Sequence, residues 1–425
     1  MNGLKHPHSN KLIRWAILLT ASLALAACGG GGGGSSSPPP TATPPPPPPP
    51  PPAPSGDDAR RAVLADIGTQ IILPALQAFA TEAGDLQTAV AAHAAAPTDA
   101  SALSAAQAAW DSAMDAWQRN EPLQVGPAGK SSNPDAVRGG QDLRNLIYSW
   151  PLTLNVCSLE QAALDADAVN TSTSIDITGL GALEHMLYTA TADAACTAQP
   201  DASARAAHAE RLADRIAALA TGLVTRWDPA QDDFLAQWST AGDGSVTYGT
   251  PQDALDSLSV GLFYVEQETK DRKVGLTTGI GSTQLTCGNA VNCPEFLESR
   301  LSGRSGANLR ANIQTFRDVF TGLNNGMGLN DLLSGVDRED LATQIVSQLD
   351  VVLARLDTIA NNGGFDAAVE GITDANECVN AFSSSSGLPP CALLGEMKSA
   401  LDTFRVDIVT ALSLAIPDSA AGDND

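Results

Sequence analysis

The stretch from Thr178 to Tyr188 offers half of a metal site. It reads Thr-Gly-Leu-Gly-Ala-Leu-Glu-His-Met-Leu-Tyr, a glycine-rich start that leads into a short apolar helix. Residues three apart are neighbours on a helix surface, so a histidine at position 181 would join Glu184 as a second metal ligand. Gly181 stands there instead, and His185 projects about 100° away around the helix. Because a catalytic zinc usually has three protein ligands, the stretch argues against a hydrolytic metal site.

Three interpretations of Glu184 remain open. In the first, Thr178 caps the helix and the carboxylate lies in the opening turn, where it meets the positive end of the helix dipole. In the second, Glu184 forms a salt bridge to another helix. In the third, carboxylates converge in one cleft and bind a hard cation such as iron(III), calcium or manganese. The residues of this third interpretation are Glu184, Glu121 and Glu266 as ligands, with Arg144 or Lys270 as counter-charges.

Several other residues could carry chemistry but have simpler interpretations. We expect Trp117 and Trp150 to belong to the core, and His93 and His208 to be exposed on alanine-rich helices. The segment Lys270-Asp-Arg-Lys273 is typical of a solvated helix end, since positive charge is favourable there.

The elements that must position these residues are helices. Apolar residues recur at three- and four-residue spacing, for example at Leu212, Ile216, Leu219 and Leu223, and alternating β-branched runs are nearly absent. The pattern predicts an all-α protein of two packed antiparallel bundles. The predicted boundaries are an N-terminal bundle at 57–245, a C-terminal bundle at 246–417 and a disordered tail at 418–425.

The first residues predict export. A basic start, an apolar run too short to span a bilayer and the ending Leu25-Ala-Ala-Cys28 indicate a signal peptide at 1–27. The ending resembles the lipobox of bacterial lipoproteins, which implies acyl chains (palmitate) on Cys28 and an outer-membrane anchor facing the periplasm or the cell surface. Residues 28–56 would form a disordered glycine, serine and proline tether. The alternative is an ordinary cleaved signal with a chance cysteine.

Charge and cysteine usage agree with export. The formal net charge of −24 argues against binding nucleic acid, and we expect a monomer. The six cysteines after Cys28 form an even set, which in an exported protein indicates disulfides. Fifteen pairings are compatible with the sequence. We favour the pairing without crossings or nesting: Cys157–Cys196, Cys287–Cys293 and Cys378–Cys391.

Three segments together resemble the imelysin family of exported all-α proteins, which is also classed as a peptidase family. The family pattern Trp-x-x-x-Glu before Gly-Pro matches Trp117 and Glu121, and its Arg-x-x-Ile-x-x-Trp-Pro segment matches Arg144 to Trp150-Pro151. Its Gly-x-His-x-x-Glu helix start matches Gly179 and Glu184, with Gly181 in the histidine's place. The resemblance implies two four-helix bundles and a connection to iron acquisition.

We therefore predict a non-enzymatic, imelysin-like lipoprotein that binds a metal, iron foremost or another divalent or trivalent cation, or a partner in metal uptake in the envelope. One alternative is a zinc-dependent metallopeptidase with a variant ligand set. Another is a structural envelope protein whose helices present an interaction surface.

Overall fold

Helices make up the regular structure of this chain, as the apolar periodicity predicts. The computed structural model describes residues 56–152, 154–171, 174–280, 291–382 and 386–420. Every regular element in these ranges is helical and none of their residues lies in a strand, so the all-α prediction is confirmed. The predicted signal peptide, Cys28, residues 28–55 of the tether, Cys287 and the last five residues of the predicted tail lie outside the described residues.

The first bundle forms around the helix Asp57–Ala95, whose α-helical parts Asp57–Asp66 and Leu73–Ala95 flank a π-helical turn at Ile67–Ile72. Its buried side chains recur every three or four residues and face the helices Ala100–Gln118 and Ala202–Trp227. The short helix Gly179–Tyr188 packs against the same two helices. Aspartates at positions 99 and 201 cap these helices by accepting backbone N–H groups.

The second bundle follows a capped helix. Thr250 and Asp253 form a reciprocal capping box at the start of Pro251–Leu262, which continues into the π-helical segment Val265–Leu276. That segment packs with Ser305–Thr321 and Pro389–Asp402, and the helix Glu339–Asn361 packs against both of these. Buried leucine, valine, isoleucine and phenylalanine side chains line their facing sides.

Shorter elements connect the long helices. The short α-helices are Leu143–Ile147, Val156–Ala162, Ala168–Thr171, Phe234–Ser239, Leu329–Ser334, Phe365–Glu370, Ala375–Val379 and Val409–Leu412. A further π-helical segment is Thr403–Ile408, and single 3₁₀ turns lie at Gly126–Ala128, Pro294–Phe296 and Asn380–Phe382.

The two bundles share a continuous apolar core. The segment Asp57–Asp66 packs on Pro251–Leu262, and Ala100–Gln118 packs on Ser305–Thr321. The helices that carry the candidate residues therefore meet where the bundles join. The predicted bundle boundary between residues 245 and 246 stays a prediction.

One helix of the described residues, Asp57–Ala95, is long and apolar enough to cross a membrane by length and composition alone. Its apolar side chains Leu76, Phe79, Leu86 and Val90 are buried against neighbouring helices. This packing accounts for its apolar composition, because the central helix of a bundle also needs apolar side chains over most of its surface.

Two of the three predicted disulfides are present. Cys157 pairs with Cys196 across 39 residues, and Cys378 pairs with Cys391 across 13. The predicted Cys287–Cys293 pair involves Cys287, which lies outside the described residues, and it stays a prediction.

Candidate functional site

The carboxylate of Glu121 lies at the junction of the bundles and is fully buried. Arg144 donates to Glu121 Oε2 from Nη2 at 2.7 Å and from Nε at 3.2 Å. The indole nitrogen of Trp117 donates to the other carboxylate oxygen, and Arg144 also donates to the carbonyl of Trp150 at 2.6 Å. Burial lowers the pKa of Arg144, but the charge of Glu121 outweighs it and holds the pKa above its ordinary value. Two separate sequence landmarks thus meet in one buried ion pair.

A second buried ion pair joins Glu298 to Lys273. Lys273 Nζ lies 2.9 Å from Glu298 Oε2, and both side chains are about 1% exposed. Gln118 and the hydroxyl of Tyr148 each donate to Glu298 Oε1 at 2.9 Å. Lys273 also donates to the side-chain oxygens of Gln118 at 2.9 Å and of Asn312 at 2.8 Å. The ammonium therefore donates two hydrogen bonds and also neutralises the carboxylate of Glu298.

Tyr148 lies in a region where three carboxylates act on its hydroxyl. Burial raises the pKa of its hydroxyl well above the ordinary value, and the charges of Glu298, Glu184 and Glu121 raise it further. The guanidinium of Arg144 lies 5.9 Å from the centre of the same ring. The phenol thus lies in the same charged region as the two ion pairs and the candidate ligand Glu184.

Glu184 is the one carboxylate of this group that is held by neutral donors. The backbone N–H of Ser302 donates to its Oε1 at 2.9 Å and the Ser302 hydroxyl at 2.8 Å. Burial raises the pKa of Glu184 to about 7, and the charges of Glu298 and Asp111 raise it while the Ser302 bonds oppose them. Its ionised form therefore adds negative charge to a region that already holds two carboxylates.

Two interpretations of Glu184 are wrong. The helix begins at Gly179, so Glu184 lies in its second turn, beyond the reach of a first-turn dipole effect. Thr178 occupies the N-cap position but makes no side-chain cap and donates instead to the carbonyl of Ser174 at 3.1 Å. The salt-bridge interpretation is also wrong, because the partner of Glu184 is Ser302.

Gly181 faces the same phenol. A Cβ atom added at Gly181 would lie 3.7 Å from Tyr148 Cε2 and 3.9 Å from Leu154 Cδ2, which is ordinary contact distance. His185 turns to another side of the helix, as predicted, where its Nε2 lies 2.8 Å from Glu160 Oε1. Arg205 also contacts that carboxylate, so His185 belongs to a separate buried ionic group.

The expectation that His93 and His208 are exposed is wrong. His93 is 6% exposed and His208 is fully buried. Burial lowers the pKa of both rings, that of His208 to about 4. Alanine-rich helices suggested a surface, but here they pack closely enough to cover the imidazoles.

The remaining predicted residues lie in different pairings. Glu266 is buried and forms an ion pair with Arg405 at 3.4 Å. Lys270 is also buried and pairs with Asp271. The prediction that Lys270 to Lys273 form a solvated helix end is therefore wrong, because Lys270 and Lys273 are each only 2% exposed. Trp117 is buried as expected, whereas Trp150 is half-buried.

Sequence reasoning missed Glu298 and Lys273 as the second ion pair. Glu298 lies in a turn five residues after Cys293, in a segment with no helical periodicity, so no local pattern marks it. Lys273 lies in a basic segment that sequence alone cannot distinguish from a surface. Within the described ranges, no group of three or more His, Cys, Asp or Glu side chains is arranged to hold a metal. Metal binding by Glu184, Glu121 and Glu266 stays a prediction.

The fold and the junction site define a two-bundle, all-α protein with a buried ionic centre. The model of the imelysin family, a peptidase family by its designation, matches residues 72–383. The chain therefore belongs to the imelysin family.

Three known proteins are similar to this chain. Iron-regulated protein A of Synechococcus elongatus is 27% identical over 293 residues, which cover 68% of this chain and 69% of that protein. Two crystal structures share the fold at 16% identity and cover 84% of this chain. An imelysin-like protein of Psychrobacter arcticum is covered over 97% of its length with a TM-score of 0.60. A protein described as an iron-regulated protein A precursor, from Parabacteroides distasonis, is covered over 94% with a TM-score of 0.59.

Proposed function

We propose that this protein is an exported, non-hydrolytic member of the imelysin family that binds iron for uptake at the cell envelope. The relative in Synechococcus elongatus carries the name Iron-regulated protein A. A protein of the same fold is described as an iron-regulated protein A precursor. The Leu-Ala-Ala-Cys28 ending supports export with a lipid anchor on Cys28 in the outer membrane. A partner protein in metal uptake fits the same location.

The observation that carries the proposal is the state of Glu184. Glu121 and Glu298 are each neutralised by a buried cation, Arg144 and Lys273. Glu184 instead receives two neutral hydrogen bonds and lies near other carboxylates that raise its pKa. Those neighbours have their own cations, Lys273 for Glu298 and Arg304 for Asp111. A bound cation would therefore neutralise the ionised Glu184, and carboxylate oxygen is a ligand type that hard cations prefer.

The ligand set suits iron as cargo better than a catalytic metal. Glu184 offers one carboxylate, since the neighbouring Asp111 already accepts from the Tyr188 hydroxyl and pairs with Arg304. Water or a chelator that arrives with the iron would complete the coordination. A catalytic zinc would ordinarily need three protein ligands. Gly181 supplies none, and the nearest histidine, His185, is already engaged by Glu160. The zinc metallopeptidase and the structural envelope protein are the alternatives that the experiment separates.

The test uses the full exported chain, purified from the envelope fraction in detergent. The protein is incubated with ferric nitrilotriacetate, passed over a desalting column and analysed for bound metal by mass spectrometry. We expect stoichiometric iron in the wild type and a loss of affinity of at least about tenfold in Glu184→Gln. The matched control is Glu370→Gln, which removes an exposed carboxylate and should leave iron binding unchanged.

The alternatives give different results. Equal iron binding by the wild type and Glu184→Gln would refute the role of Glu184, and no iron binding at all would favour the structural envelope protein. Peptide hydrolysis that both a chelator and Glu184→Gln abolish would establish the metallopeptidase. For the anchor, Cys28→Ser should move the protein from the membrane fraction to the soluble fraction.

A further inference from the structure

A polar cleft opens at the junction, and Arg144 lies in its lining. It encloses about 520 Å³ of empty space, counting its open mouth. We propose that this cleft binds a small organic acid with two or three carboxylate groups. Among its lining residues are Gln124, Lys130, Asp135, Arg144, Tyr264 and Glu268. The proposal does not depend on iron binding at Glu184.

The carboxylates in the lining are already occupied. Asp135 accepts from the backbone N–H of Ser419 at 3.1 Å and from the Ser419 hydroxyl at 2.6 Å. These bonds, with Lys130, outweigh burial and hold the pKa of Asp135 below its usual value. Both oxygens of Glu268 accept from Arg272, at 3.1 and 3.0 Å. A cationic ligand would have to displace these partners.

Two donors in the lining, by contrast, can form further hydrogen bonds. The ammonium of Lys130 carries three hydrogens and makes one long contact, 3.4 Å from Asp135 Oδ2, with its side chain 48% exposed. A long contact made by a half-exposed ammonium contributes little energy, so Lys130 can turn to a ligand while Ser419 still holds Asp135. The amide nitrogen of Gln124 is buried and has no hydrogen-bond partner among the described residues. A buried donor without a partner costs free energy that an incoming oxygen atom would recover.

Local charge does not oppose an anion here, although the whole chain is acidic. Four cations act on Glu268: Arg272, Arg144, Lys273 and Lys130. Each is matched by one carboxylate, in the same order Glu268, Glu121, Glu298 and Asp135. The preference for an anion therefore comes from the spare donors of the lining and not from a net positive charge.

The shape selects among anions. The two spare donors lie at different depths of the cleft, since Lys130 is half-exposed and the Gln124 amide nitrogen is buried. A molecule with two or three carboxylates can contact Lys130 at the mouth and the Gln124 amide deeper in the cleft at the same time.

Calorimetric titration of the full chain, freed of metal by a chelator and dialysed, tests the proposal. The probes are citrate, succinate, inorganic phosphate and the diamine putrescine. We expect saturable binding of citrate or succinate, about tenfold weaker in Lys130→Gln and weaker also in Gln124→Leu. The control Arg310→Gln removes a half-exposed cation that pairs with Asp357 elsewhere and should bind as the wild type does.

Each other outcome overturns the proposal. If neither acid shows saturable binding, the cleft is not a site for organic acids. Equal affinity in the wild type and Lys130→Gln, with both variants folded by circular dichroism, would mean that the acid binds elsewhere. Phosphate binding as tightly as citrate would refute the carboxylic-acid class, and putrescine binding in place of the acids would reverse the charge preference. Because iron is absent throughout, failure of the iron proposal would leave this result unaffected.

Discussion

The pKa of Glu184 makes a quantitative prediction about stability. It is about 7 in the folded protein against an ordinary value of 4.5. The folded state therefore holds the proton more tightly than the unfolded state does. This contribution to stability is complete below pH 4.5 and is lost as the pH rises through 7. The difference between the two pKa values corresponds to about 3 kcal/mol of unfolding free energy.

Glu184→Gln isolates this effect. The amide carries no charge, and its oxygen can still accept both hydrogen bonds from Ser302. Its nitrogen can donate to the nearby carboxylates of Glu298 or Asp111. We therefore expect the variant to be more stable than the wild type by up to about 3 kcal/mol at pH 8 and about equal to it at pH 4.5. A residue that destabilises the fold near neutral pH is typical of a functional site.

Urea unfolding followed by tryptophan fluorescence, at pH 4.5 and pH 8 with a chelator present, measures the effect as a shift of the midpoint. Glu370→Gln serves as the control, because its exposed carboxylate should change neither midpoint by much. If Glu184→Gln is less stable than the wild type at pH 8, or if the two proteins lose stability in parallel between the two pH values, the reasoning about buried charge is refuted.

Three further predictions concern the frame around the site. Gly181→Ala should stabilise the protein by about 0.5–1 kcal/mol, since the new Cβ meets its nearest atom at 3.7 Å in a helix. Gly179→Ala should destabilise it, because φ is +82° and the new Cβ would clash with the backbone oxygen of Ile147. Urea midpoints of the two variants that shift in the same direction would contradict this contrast. Arg144→Met should cost about 3–5 kcal/mol by leaving Glu121 buried without its counter-charge, and adding Glu121→Gln should restore part of the loss. Removal of the Cys157–Cys196 disulfide, which joins residues 39 positions apart, should cost about 3–4 kcal/mol of stability and speed limited proteolysis. An unchanged urea midpoint would contradict this prediction.

How much of this structure the sequence predicts depends on how far apart along the chain the interacting residues lie. Apolar spacing along the chain predicted the helices correctly, because a helix face is a local property. The pairing of Cys157 with Cys196 and of Cys378 with Cys391 also followed from positions along the chain. Spacing could not show that Lys273 is buried, since burial depends on which helix covers it. The same limit explains why His93 and His208 were expected at the surface.

By itself, the sequence determined the all-α class, the family landmarks from Trp117 to Glu184, and the missing ligand at Gly181. Only the tertiary structure decided which charges meet. It placed the ion pair of Glu298 and Lys273 at the junction, paired Glu266 with Arg405, and brought Ser302 within hydrogen-bond distance of Glu184. The physical reason is that helix formation depends on neighbours three or four residues away. The partners of these buried charges lie beyond that range, from 25 residues for Lys273 and Glu298 to 139 for Glu266 and Arg405, and packing alone brings them together.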